Sequence, residues 1–141
     1  MERKSTDDLQ QELMSQNNID TYLKENAALF SETDVAAHLS ELYRKQSISK
    51  AALARKAGMS EVYLHQVFAG RRNPSRDRLL CLCAGLNAGL EDTQDLLKQS
   101  GYAQLHPKNR RDAIIIHGLI HGTDLEVINE KLFSENERSL F

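Results

Sequence analysis

Lys50-Ala-Ala-Leu-Ala-Arg-Lys-Ala-Gly58-Met-Ser60-Glu-Val-Tyr-Leu64-His-Gln-Val67-Phe-Ala69 is the stretch on which the reading of the whole chain turns. Ser49 stands just before it and Ser60 in its middle, and a serine hydroxyl there accepts from the free N–H groups that open a helix. Between the two helices so marked, Gly58 supplies the positive φ that a tight bend requires. Two short helices cross steeply only where small side chains let their backbones approach, and Ala54 is placed for that contact. Met59 fills the corner. Leu53 and Ala57 on the first helix, and Leu64, Val67 and Phe68 on the second, recur at the spacing of a shared core face.

Outward from this pair, helical signals continue in both directions and no convincing strand alternation interrupts them. Upstream, Leu9, Leu13 and Met14 mark one helix, broken at Asn17-Asn18, and Ile19, Tyr22 and Leu23 mark a second. Ser31 and Thr33 offer caps for a third through Val35, Leu39, Leu42 and Tyr43. Downstream, Gly70 ends the second motif helix, Ser75 starts another over residues 76–86 that contains the apolar run 79–86, and residues 91–99 read as a helix stopping near Gly101. Pro107 fits the first turn of a helix that Gly122 closes, and Thr123 to Glu126 has the form of a capping box opening a last one. The expectation is all-α, about eight short helices with short connections.

Charge divides this chain more sharply than its total of −2 conveys. Residues 1–34 carry 3 basic and 8 acidic side chains, whereas residues 44–78 carry 9 basic and 2 acidic ones, half of all Lys and Arg. That local positive field suits a polyanion. With 40% hydrophobic and 27% charged residues over 141, the composition is that of a globular chain with one core. No apolar run approaches the roughly 18 residues that span a bilayer. The charged start Met-Glu-Arg-Lys-Ser-Thr-Asp-Asp lacks the apolar segment of a secretory signal, so a cytoplasmic location is expected, with no membrane partner. Cys81 and Cys83 have neither the spacing nor the companions of a zinc site and read as buried, reduced thiols.

The pattern Leu53-Ala54, Ala57-Gly58-Met59-Ser60, Leu64 and Val67, followed by Gly70-Arg71-Arg72-Asn73-Pro74, resembles the lambda-repressor-like, or Xre-type, helix-turn-helix family of bacterial and phage regulators. The resemblance covers about residues 35–98 and implies a five-helix DNA-binding domain. It leaves residues 1–34 as an acidic N-terminal helical extension and 99–141 as a C-terminal two-helix tail. Where the family often has Gln at the start of its first motif helix this chain has Lys50, a change compatible with a phosphate contact. The whole chain is also similar to a group of small bacterial proteins that join this domain to a helical tail with Arg-Arg-Asp before isoleucines, here Arg110-Arg111-Asp112 and Ile114 to Ile116.

With Leu64 inward, a step of about 100° per residue turns Val62, Gln66 and Ala69 outward, with Glu61, Tyr63 and His65 on the flanks. The expected base-reading set is therefore Ser60, Glu61, Val62, His65 and Gln66. Gln66 suits adenine N6 and N7, Val62 a thymine methyl, and Glu61 cytosine N4. The expected phosphate set is Lys50, Arg55, Tyr63, Arg71, Arg72 and Arg76. Such a domain covers one half-site, so a homodimer on double-stranded DNA is expected, with Ile114, Ile115, Ile116, Leu119 and Ile120 as the candidate interface. The other reading of that stripe is that the tail closes this chain's own core. His117 and His121 share a helix face but lack the rest of a metal motif, and no catalytic constellation or phosphate loop is recognisable. Neither enzyme activity nor a cofactor is expected. The alternative function is a protein-interaction module, with an unidentified protein partner, that keeps the fold without reading DNA.

Overall fold

The computed structural model describes residues 4–26 and 34–141. Among them the chain forms nine helices and no strand. Two compact units divide it, residues 1–34 and 35–141. In the first, α1 (Thr6–Ser15) and α2 (Ile19–Glu25) make a hairpin. Ser5 caps α1 through a full capping box with Asp8, and Asn18 caps α2. Lys4 Nζ reaches both Glu12 Oε1, at 2.6 Å, and Asn26 Oδ1, at 2.8 Å, which ties the two helices together. No residue of α1 is buried. The expected caps Ser31 and Thr33 lie outside the described residues.

The second unit contains α3 (Val35–Arg44), α4 (Lys50–Lys56), α5 (Glu61–Phe68), α6 (Arg76–Gly85), α7 (Gly89–Gln99), α8 (Arg110–Ile120) and α9 (Leu125–Ser134). Its centre is α6. Leu79 through Cys83 are all buried there, so the helix is apolar on every side and must be surrounded. It packs against α4, α7, α8 and α9, while α5 leans on α3 and α4. One core cluster joins Leu39, Leu53 and Leu64 to Leu105, Ile115, Leu132 and Leu140. His38 crosses from α3 to α7, with Nδ1 3.0 Å from Gln99 Oε1 and Nε2 3.1 Å from Asp92 Oδ1. Both cysteines are free and buried, and burial pushes each thiol up to about 12.

Three helix starts differ from the sequence reading. The seventh helix begins at Gly89, two residues before the acidic turn that marked it. Pro107 stands in a turn before α8, and Asn109 is the cap, its side chain accepting from the Asp112 N–H. Asp124, not Thr123, caps α9, and no capping box forms. The reason is local: Thr123 N–H donates to Gly118 O at 2.9 Å and Gly122 N–H to Leu119 O at 3.4 Å, so Thr123 completes the closure of α8.

The isoleucine stripe of α8 does not stand free. Ile115 and Leu119 are buried in the core of the same chain, Ile114 and Ile116 pack half-buried against it, and Ile120 alone of the five is exposed. At Gly118 the helix meets α9 so closely that an added Cβ would lie 2.5 Å from Ile128 Cγ1. The His117 and His121 rings lie against each other, tilted by 44°, with centroids 4.2 Å apart. Among the described residues no group of three His, Cys, Asp or Glu side chains could hold a metal ion, and no helix is long and apolar enough to cross a membrane.

Candidate nucleic-acid interface

Local chemistry sets α4 and α5. Ser49 Oγ accepts from Ala52 N–H and Ser60 Oγ from Tyr63 N–H, both at 3.1 Å. Gly58 lies just past α4 at φ 65°, and Met59 N–H returns to Ala54 O at 3.0 Å, closing α4 and redirecting the chain into α5. Behind the bend, a Cβ on Gly85 of α6 would stand 3.1 Å from Leu53 Cδ1, which shows how tightly α4 is seated. The ring of Phe141 rests on Gly58 itself, 2.7 Å from where a Cβ would be.

On α5, Tyr63, Leu64 and Val67 face the core, which sets the opposite face in the open. Val62 is 69% exposed, Glu61 and His65 are exposed, and Gln66 is half-buried. An open depression of about 560 Å³ is lined by Ser40, Lys50, Val62, His65, Gln66, Phe68, Ala69 and Arg71. The structure thus brings together three of the expected base readers, Val62, His65 and Gln66, with two expected phosphate contacts, Lys50 and Arg71. Ser60 and Glu61 sit at the open N-terminal end of α5. Glu61 Oε1 lies 3.6 Å from His65 Nε2 one turn on.

Cations frame this face on two sides. Lys50 Nζ stands over the rings of Tyr43, at 5.7 Å, and Phe68, at 5.2 Å, which are themselves edge to face. On another side the guanidinium groups of Arg72 and Arg78 lie 5.2 and 4.4 Å from the centroid of the Tyr63 ring. Arg71 follows Gly70, whose φ of 73° and the bond from Arg71 N–H to Gln66 O, 2.9 Å, fold the loop back onto α5. Pro74 is anchored by the Tyr102 hydroxyl, which donates to its carbonyl at 2.6 Å.

Tyr63, expected on the flank as a phosphate contact, is buried with the core instead, and two further expected phosphate contacts lie elsewhere. Arg76 is engaged within the unit, Nε donating to Ala103 O at 2.9 Å and Nη2 pairing with the buried Asp112 at 3.4 Å. Arg55 lines a separate cleft of about 290 Å³ with Lys56, Gly85, Asp124, Glu126 and Phe141. Ser40 and Arg78 were not singled out from the sequence. Ser40 reaches the depression only through the packing of α3 on α5, and Arg78 reaches Tyr63 only through the course of the loop before α6.

An exposed helix face about 10 Å across, rimmed by cations, has the dimensions to enter the roughly 12 Å major groove of duplex DNA. No curated protein and no solved structure matches the chain. Residues 34–96 match the family model of a helix-turn-helix domain, which points to DNA binding.

Proposed function

We propose that the chain is a sequence-specific regulator of the lambda-repressor-like, Xre type, which reads the major groove of double-stranded DNA with α5 and acts as a cytoplasmic homodimer on an inverted repeat. The observation that carries this is the division of α5. Leu64 and Val67 hold it to the core while Val62, His65 and Gln66 project from it beside Lys50 and Arg71. Gln66 is assigned to adenine N6 and N7, Val62 to a thymine methyl, and Glu61, with Ser60 and His65, to the neighbouring base edges. Lys50, Arg71 and Arg72 are assigned to phosphates, where they supply most of the affinity and no sequence information. Arg76 leaves that set because Asp112 already neutralises it.

For the second copy, the candidate surface is what α8 and α9 leave uncovered. Ile120 and Val127 are 59% and 50% exposed, and Ile114, His117, Val127 and Lys131 line a shallow apolar groove. The decisive experiment is selection of bound fragments from a random duplex pool. Enrichment of a palindrome supports sequence reading and two-fold symmetry together. Retention without sequence enrichment removes the base-reading assignment, and no retention at all favours the protein-interaction alternative.

A further inference from the structure

Five arginines cluster around the start of α6 and the strand of chain facing it, and the structure sorts them into two kinds. Arg76 pairs with Asp112, while Arg111 binds both oxygens of Asp77, at 3.0 and 3.2 Å, and Arg138 approaches the same carboxylate at 3.4 Å. Each of those three has a carboxylate partner, Arg111 and Arg138 sharing one. Among the described residues, neither Arg72 nor Arg78 has a carboxylate within ion-pair distance, although Asp77 is the sequence neighbour of Arg78. Both instead bear on one buried ring, that of Tyr63.

This placement works against the fold's own electrostatics. Arg78 lies in the first turn of α6, where the helix dipole disfavours a cation. Arg72 bears on the same ring, and neither guanidinium has a carboxylate partner among the described residues. The Tyr63 ring attracts both, and neither guanidinium donates a hydrogen bond to a described residue, so their N–H forks can meet an acceptor. An anion with several oxygens, received by two planar forks, supplies the missing counter-charge. Tyr63 is one residue from the exposed Val62, so an anion held there has a set relation to the reading face.

We infer that Arg72 and Arg78, seated on Tyr63, form a clamp for a single phosphate of the DNA backbone beside the groove that α5 reads. The inference rests on the duplex-binding reading, and the test separates the two. Binding of the full chain to its selected duplex is measured over a range of KCl concentrations. The Arg72→Gln/Arg78→Gln double variant should bind on the order of tenfold more weakly on every sequence, because charge-assisted bonds are lost. The slope of log K against log salt should shrink by about 0.9, the value for one phosphate. Base preference should be unchanged, and the melting curve should match the parent because both side chains are exposed. Arg138→Gln, which removes an arginine already paired with Asp77, should leave the slope as it was. A slope unchanged in the double variant overturns the clamp while leaving DNA reading intact. A loss near 1.8 overturns the shared phosphate in favour of two separate contacts. Failure of the parent chain to bind any duplex removes the reading on which the clamp depends.

Discussion

Gly118→Ala sets two known effects against each other, and the structure says which wins. In mid-helix, alanine is favoured over glycine by about 1 kcal/mol. Gly118 has no positive φ, so its backbone accepts a side chain without strain. The new Cβ, however, would stand 2.5 Å from Ile128 Cγ1 and 2.6 Å from Cδ1. Ordinary carbon contacts are about 3.5–4.0 Å, so both atoms must move by about 1 Å. Ile128 is 2% exposed and has no solvent to swing into. Overpacking of that kind costs about 1–3 kcal/mol, and two simultaneous overlaps place this site in the upper half of the range. The net expectation is a loss of roughly 1 kcal/mol, read as a lower urea midpoint at unchanged slope. Ile128→Val alone should cost about 0.5–1.5 kcal/mol. In the Gly118→Ala background it should cost less, because it removes Cδ1, one of the two overlaps, giving a coupling of at least about 0.5 kcal/mol. A Gly118→Ala chain more stable than its parent, or a strictly additive cycle, would refute the claim that α8 and α9 meet in rigid contact.

Other expected outcomes concern the reading face, the second copy and the thiols. Gln66→Ala should relax preference at one base position by about 1–3 kcal/mol and leave the salt slope alone; an equal loss on all duplexes would deny it a base-reading role. Ile120→Asp should shift sedimenting mass toward the monomer without altering the melting curve of dilute protein, and an unchanged mass would exclude Ile120 from the interface. Cys81 and Cys83 should resist alkylation near neutral pH until the chain unfolds, since each is buried and its thiol is raised to about 12. The sign of the accompanying pH effect follows. An acid whose folded value lies above its unfolded one of 9.0 stabilises fully below that pH, so stability should fall as pH rises from 9 toward 12. Cys83→Ala should flatten that fall in alkaline denaturation curves; an undiminished fall would assign it to other groups.

What could be read from the sequence was what neighbouring residues decide among themselves. Ser49, Ser60 and Ser75 each accept from the third N–H ahead, and Gly58 and Gly70 each carry the positive φ at a helix end. Those features reach no further than a few residues, and with the spacing of Leu64 and Val67 they define the motif and its outward face. Longer-range choices were not legible. Arg76 and Arg71 look alike in sequence, but Asp112, 36 residues away, takes one and leaves the other in the open. Ile115 and Ile120 belong to one apolar stripe, yet the core of the folded unit covers the first and not the second. Thr123 lost its expected cap because α8 needed its N–H first. In the first two cases the outcome depends on where a distant helix lies, which no local pattern encodes; in the third two local motifs compete for one N–H.

Leu140 is 4% exposed, with its N–H on Asn129 and its carbonyl accepting from the Cys81 thiol. Because that residue is built into the same interior as Leu53 and Leu64, the α5 face and the α8–α9 face rest on one core and are not separable parts. Trimming the protein back to its best-matched segment would strip the wall from α6 and yield a sticky remnant whose association says nothing about the intact chain. Questions of symmetry therefore have to be put to the intact polypeptide, one surface side chain at a time.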